Sequence, residues 1–572
     1  MHLHAVFFCG DFLNIKGKYI ASAGVLLISS IIVKFISAVY KIPLTAYIGA
    51  VGRGYYTFAY NLVMPVHAVT MGAFPVALSK LISKYSSLNN HSMVTALRKG
   101  SLSLFSLVGF ISMLLLMLLS KPYSDFIVKS PDTVYTALVL APSVLFSCIS
   151  ASYRGYFEGK INMIPTAVSQ VIEALFKMVF GLFFAKISVA YLLSQYDETS
   201  CVMGISVSTY DDALALIYPF STAFSMLGVT LGCFASLCYL YAYSLFKSEK
   251  PINTDYKNIK AKKMILTYSF PIMLSTCVQS VFQFLDTASI QYALNHCDYD
   301  KIRQFFSDSL SYANVLDKDL PTFACGMHSS ALDFKNLVPG ITMALGVSAV
   351  PVISSLFETG NKSRLKSISD SIFKYTFIIS VLGGIILYFC SDNLLNIMYA
   401  DSSPEIVKGS LNIIKYYSLG VPCFSLAGIA VFSVQALGKA EKSIPSYIFC
   451  GIIRCVLNIL LIENTSLLIY GAVISCIVSY ALMTVWNVII YMKYAKIKLS
   501  IPKCFVLPSV LQTAAIIAVS YIFNRFDFAY NDFVLIMLKT VIIIFVCLIL
   551  CFLCGLLNFK DIFRYLGHKK TA

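Results

Sequence analysis

Charged and amide side chains set inside long apolar runs are where this sequence could do chemistry. Lys34 lies about two-thirds along the run 19–41, Asp286 within 264–294 and Arg454 within 444–462. An ionisable group at mid-membrane depth costs about 2.5–3.5 kcal/mol on insertion scales, so each needs a reason. Lys34 is several residues from either end of its run, too deep to snorkel readily. It reads as a cation facing a cavity and attracting an anion such as a phosphate. Asp286 closes the series Ser275, Gln279, Gln283, Asp286, whose spacings of 4, 4 and 3 put all four on one helix face. That stripe faces protein or water, and interhelical glue and cavity lining fit it equally well. Asp286 is its most functional member, able to bind an ion or to pair with Lys34. Those two roles for Lys34 separate on one test: if it only neutralises Asp286, the double variant Lys34→Ala/Asp286→Asn regains function. Arg454, with Asn458 four residues on and no acid beside it in sequence, is a candidate phosphate contact.

Other embedded charges read as structure. Glu173 and Lys177, with Gln170 before them, are spaced i, i+4 with the acid N-terminal, so an intrahelical pair neutralises both. Arg154 and Glu158, interleaved with Gly155 and Gly159, sit at a helix end where packing comes first and gating second. Lys539 stands alone and has no assigned role. Catalytic constellations are missing: there is no P-loop, and His296, His328 and the Asp-x-Asp pairs at 298–300 and 317–319 lack metal spacing. No enzyme activity, metal or cofactor is expected.

These residues need elements to hold them, and composition says which. The chain has 572 residues, 58% hydrophobic and 13% charged, with a mean hydropathy of +0.77. A soluble domain carries about 25% charge. The excess places the chain in a bilayer, and the alternating pattern of a membrane barrel is absent, so its spans are helices. Apolar runs predict fourteen: 19–41, 55–79, 101–120, 134–153, 163–187, 213–246, 264–294, 335–357, 371–391, 409–436, 444–462, 467–492, 505–523 and 533–555. With the N-terminus inside, most of the 44 Lys and Arg fall on cytoplasmic segments, and most of the 28 acids fall outside. The positive-inside rule therefore sets both termini in the cytoplasm. The same asymmetry accounts for the net +16 without nucleic acid.

The domain reading follows: a cytoplasmic N-terminus at 1–18, a first six-helix lobe at 19–246, and a basic linker at 247–263 that lies on anionic headgroups. A second lobe at 264–492 carries an outside loop at 295–334, and 493–572 holds the last two spans with a basic tail. A second acidic outside loop is expected at 188–212. The seventeen cysteines lie mostly in apolar runs as small hydrophobes. Cys297 and Cys325 are expected to be open to labelling from outside, and Cys504 closed to it.

The halves repeat at an offset of about 275 residues. Met64-Pro65 through Gly72, Pro75 and Ser79 parallels Val338-Pro339 through Gly346, Pro351 and Ser354, and Gly159-Lys160 before Pro165 parallels Gly438-Lys439 before Pro445. Repeated halves with helices broken at proline, here Pro75 and Pro351, mark transporters. Both halves run in the same direction, which implies a pseudo-twofold axis along the membrane normal.

Arg154-Gly155-Tyr156-Phe157-Glu158-Gly159, Met163, Pro165-Thr166-Ala167, Ser169-Gln170 and Glu173 carry a resemblance. So do Gly72 to Lys80 and Leu285-Asp286-Thr287. The chain resembles the polysaccharide-transport branch of the multidrug/oligosaccharidyl-lipid/polysaccharide exporter superfamily, near its sporulation and lipid II flippase-like members. The resemblance implies an all-α polytopic membrane protein of about fourteen helices, in two six-helix lobes plus a C-terminal pair. It also implies export of an undecaprenyl-pyrophosphate-linked sugar intermediate by alternating access, for spore cortex or cell wall, with Lys34 matching a cation of the lipid II-moving relatives. The chain departs from the pattern in its two longer outside loops. The expected partners are the lipid-linked oligosaccharide and membrane lipids, the protein being monomeric in the cell membrane, with coupling to the membrane potential or a monovalent cation. The alternatives are a cation-coupled multidrug antiporter of the same superfamily, disfavoured because the first helix offers Lys34 where such proteins place a carboxylate, and, further off, a membrane glycosyltransferase or ligase.

Overall fold

The apolar runs do form helices. A computed structural model describes residues 2–247, 258–313, 315–464, 466–525 and 531–553. Most of the basic linker, Cys554 and the basic tail lie outside the described residues. The chain divides into two units: Met1–Asn295 with Asn314–Gly326, and His296–Ala313 with Met327–Ala572.

Unit 1 holds α1 (His2–His67), α2 (Phe74–Ser87), α3 (His91–Pro122), α4 (Thr133–Gly159), α5 (Ile164–Thr199), α6 (Tyr210–Lys247) and nearly all of α7 (Asn258–His296). Wide π-type turns at Ala68–Ala73 and Tyr123–Val128 follow α1 and α3, and Pro75 opens α2 where its missing N–H costs nothing. The first two expected spans are one continuous α1, bent at Gly49, whose φ of 61° is open to glycine at little cost. Its helical start at His2 also runs through the expected cytoplasmic N-terminus. α6 lays a line of buried small residues (Ser221, Ser225, Gly228, Gly232, Ser236) against α5, and a Cβ at Gly228 would collide with the Gly181 backbone. Small residues allow that approach, and in lipid close packing is what holds helices together.

Unit 2 holds α8 (Tyr299–Phe305), α9 (Ser307–Leu310), the latter part of α10 (Leu320–Lys335), α11 (Leu337–Glu358), α12 (Lys362–Tyr399), α13 (Pro404–Ala436), α14 (Ile444–Glu463), α15 (Ile469–Ala495), α16 (Leu507–Arg525) and α17 (Asp532–Leu553). α13 is the central helix, packed by α11, α12 and α15. The last two helices belong to this core: Leu511, Ala515, Val519, Ile543, Cys547 and Cys551 join Phe373, Phe377 and Val381 on α12. Cys547 and Cys551 thus serve as small hydrophobes in helix packing.

Eleven helices among the described residues are long and apolar enough to cross a membrane, or twelve with the pair that bends by 44° within α7. One of them, Ile28–Ser87, is 60 residues long, enough for two passes, and α11 falls where the eighth span was expected. The chain is a multi-pass membrane protein, consistent with fourteen crossings. Both acidic loops are corrected by the structure. Residues 188–212 are largely the end of α5 followed by a hairpin of β1 (Cys201–Val202) and β2 (Ile205–Ser206). Residues 295–334 fold as α8, α9, a 3-10 turn at Asp317–Asp319 and most of α10. Hydropathy locates the bilayer, not the end of a helix, so amphipathic extensions were invisible to it.

Candidate functional site

In unit 1 the charges gather where α1, α4, α5 and α6 meet. Arg154 is buried on α4; its Nη2 lies 2.9 Å from Glu173 Oε2 and also donates to Ser236 at 2.9 Å, while its Nε donates to Ser169 at 3.0 Å. Glu173 therefore pairs across helices rather than with Lys177 along its own. A carboxylate with a buried guanidinium in reach gains more from that charge-assisted contact than from a lysine one turn away. Lys177 turns instead to aromatic groups on α1. Its ammonium donates to the hydroxyls of Tyr56 (3.1 Å) and Tyr60 (2.8 Å) and lies 4.9–5.7 Å from the ring centres of Tyr40, Tyr56 and Tyr60. Such faces attract a cation by about 0.5–2 kcal/mol each. Glu158 accepts from Thr166, and Gly155 and Gly159 lie inside α4, pressed on α2 near Pro75 and Ile82, so this stretch is helix packing rather than a turn. Gln170 is partly buried.

The α7 stripe is uneven. Asp286 is buried, whereas Gln279 and Gln283 are exposed, and the Ser275 side chain lies outside the described set. Next to Asp286, Thr287 accepts from Asn61 of α1 at 2.9 Å, and further along Gln291 accepts from the Cys325 thiol at 2.8 Å. Lys34 is exposed on α1 and forms no ion pair with a described residue, Asp286 included. The double-variant test therefore loses its structural premise.

Unit 2 builds a different site around Lys335, which the sequence did not single out as a binding group, with the expected phosphate contact Arg454 in the same group. Lys335, 6% exposed at the end of α10, points its ammonium at the rings of Tyr417 and Phe424 on α13 and Tyr480 on α15, 5.4, 4.7 and 5.6 Å from their centres. Its remaining polar contact is the Cys476 sulfur at 3.8 Å. Two turns earlier, buried His328 shares a 2.7 Å hydrogen bond with the Tyr417 hydroxyl. Arg454 on α14 stacks over the far side of the group, 5.7 Å from Tyr480, and Asn458 beyond it is bonded to Ser475. Among the described residues, no carboxylate lies within ion-pair distance of Lys335. The arrangement can hold an anion by charge and ring-edge donors; it has no nucleophile–base pair. Lys335 escaped notice because it opens an apolar run, where a lysine looks like an end charge.

Three further groups are placed by the structure. Lys539 donates to Asn393 Oδ1 (2.6 Å) and to the Phe389 carbonyl (3.3 Å) on α12, and Asn393 donates on to Asp532 (2.5 Å), so Lys539 fastens α17 to α12. Pro351 lies within α11, its side chain outside the described set. Cys297 and Cys325 are buried, 8% and 3% exposed, with burial pushing the Cys297 thiol up to about 11. Outside reagents will not reach them as expected; half-exposed Cys201 on the hairpin is the better reporter.

Residues 20–210 match the family described as polysaccharide biosynthesis protein, and residues 314–460 match the MatE family. The lipid II flippase MurJ of Bacillus subtilis (strain 168) is 23% identical over 498 residues, 84% of each chain. Stage V sporulation protein B of the same organism is 22% identical, covering 85% of this chain and 86% of that protein. Among solved structures, lipid II flippase MurJ in an inward closed conformation aligns with a TM-score of 0.63 at 15% identity, over 96% of this chain and 99% of that one. An inward-facing multidrug resistance MATE transporter of the MOP superfamily aligns at 0.61 and 11% identity, over 80% and 94%. Two stretches of the chain thus match the polysaccharide biosynthesis protein and MatE families in turn, and its fold is similar to that of MurJ and of a MATE transporter.

Proposed function

We propose that this protein moves an undecaprenyl-pyrophosphate-linked sugar intermediate across the cell membrane by alternating access, with both termini in the cytoplasm. The carrying observation is Lys335, a buried ammonium faced by three rings, with His328 and Arg454 beside it and no carboxylate of a described residue at ion-pair distance. Ring faces offset only part of the cost of burying a charge, and an anionic cargo supplies the rest. A pyrophosphate fits that need; an organic cation is repelled by it. The exposed Lys34 adds a further cation on α1. The membrane potential can help reset an empty cationic site, one charge across 100 mV being worth about 2.3 kcal/mol.

The rival reading, export of organic cations in exchange for protons or sodium, is favoured by the MatE match over 314–460. The two separate in proteoliposomes. Flipping of fluorescent lipid II, lost in Lys335→Met and unaffected by a proton-driven organic cation, supports the flippase. Uptake of the organic cation without lipid II flipping overturns it.

A further inference from the structure

We propose that residues 315–326 form a releasable strap that clamps α1 of unit 1 just past its bend, and that this strap must let go during transport. The strap comprises the 3-10 turn Asp317–Asp319 and the first two turns of α10, and it is counted with unit 1 although the chain on either side is not.

The strap grips α1 between Ala50 and Tyr55. A Cβ on Gly54 would fall 2.5 Å from the Thr322 carbonyl oxygen, and one on Gly326 would collide with the Ala50 carbonyl, so the two backbones touch. Beside that contact, the Tyr55 hydroxyl donates to Asp319 Oδ1 at 3.2 Å, with both groups buried. Thr322 donates to Ser130 at 3.3 Å, and exposed Lys318 lies 3.9 Å from Asp132 on the rim. Leu320, Phe323 and Ala324 of the strap are buried.

Two features make this a catch rather than permanent packing. The first is Asp319 itself. A buried carboxylate whose hydrogen-bond donor is a phenol is a costly way to fasten two segments, since a neutral or apolar residue would hold them better. Its hold is therefore reversible. The second is where the grip falls. Gly49, left-handed at φ 61°, separates the two halves of α1, and the strap pins the first residues after it. The Lys177 cage takes Tyr40 from before the bend and Tyr56 and Tyr60 from after it. A change of angle at Gly49 must open or close that cage, and the strap holds the half of α1 that follows the bend. The link to transport rests on the flippase reading above; the catch itself does not.

A disulfide tests it. In the double variant Ser130→Cys/Thr322→Cys, oxidation mapped by peptide mass spectrometry should reduce flipping of fluorescent lipid II at least tenfold, and reductant should restore it. Flipping at the reduced rate by mapped, oxidised protein overturns the strap as a moving part. Hydrogen exchange in nanodiscs reads the catch without transport: Tyr55→Phe should speed exchange of the amides at 315–326 at least several-fold and leave α12 unchanged. If strap exchange is unchanged in that variant, the catch is refuted even where the cysteine variant fails to fold. If wild-type protein flips no lipid II while Tyr55→Phe still loosens the strap, the flippase reading fails and the catch stands.

Discussion

Unit 1 and unit 2 each set one lysine against three aromatic rings, yet they treat the charge around it in opposite ways. Around Lys177 a carboxylate is at hand: Glu173 answers Arg154 and also attracts the ammonium, and two tyrosine hydroxyls accept from it. The Lys335 ammonium has no carboxylate of a described residue at ion-pair distance and meets a thiol and ring faces. A cluster that holds its own carboxylate is a fastening. A buried ammonium without one is a vacancy for an opposite charge, because isolated buried ions are costly and the cost falls when an anion arrives. The difference assigns architecture to the first cluster and cargo to the second, and each variant below can break that assignment.

The largest effect belongs to unit 2. Lys335→Met keeps the volume of the stem and removes the charge. A hydrogen bond to a charged group contributes about 1.5–3 kcal/mol, so flipping should fall roughly 10- to 100-fold. The melting temperature in detergent should hold or rise. A drop in stability with transport intact would make Lys335 a fastening like its counterpart.

Glu173→Gln should do the reverse. It strands the Arg154 guanidinium, which is almost fully buried, while Glu173 is 27% exposed. Breaking such a pair on one side should cost roughly 1–3 kcal/mol, read by thermal unfolding. Replacing both partners, Arg154→Met with Glu173→Met, should recover most of it. Failure of the double variant to recover would mean the pair does more than hold α4 to α5.

Tyr417→Phe is milder. It keeps the ring facing Lys335 and loses the 2.7 Å bond to His328, a loss of about 1 kcal/mol that should appear as a few-fold weaker apparent affinity for lipid II. Equal effects from Tyr60→Phe in unit 1 would erase the contrast between the two cages.

The smallest effect is on the strap. Burial holds the Asp319 carboxyl above the ordinary carboxylate range, Asp132 pushes it the same way, and Lys318 and the Tyr55 hydroxyl oppose them. The docked strap therefore binds its proton more tightly than a released one. Docking is strongest below the ordinary carboxylate range and weakens as pH rises through the raised value, so strap amides should exchange modestly faster near neutral pH than near pH ~3.5 after correction for intrinsic rates. Exchange that slows with rising pH would refute the sign.

Much of the fold was legible in the residues because hydropathy over some twenty positions reports the bilayer directly. The Pro75 break and the apolar role of Cys547 could also be read from the residues. Partners were not legible. Arg154 and Glu173 are 19 positions apart on different helices, and a local rule chose Lys177 instead. Lys335 and the rings of Tyr417 and Tyr480 come from three helices, and one ring among 36 tyrosines carries no mark of its role. The stripe on α7 shows the same limit: a shared face in projection still put Asp286 inside and Gln279 outside.

The contact between Lys539 and Asn393 spans 146 residues of chain. On a ribosome adding about 5–20 residues per second, α12 waits roughly 7–30 s in the membrane before its partner is made. Until then Asn393 and the Phe389 carbonyl must be served by water, lipid headgroups or an insertion chaperone. A chain truncated before Asp532 would leave α12 in that unfinished state, exposed to membrane quality control.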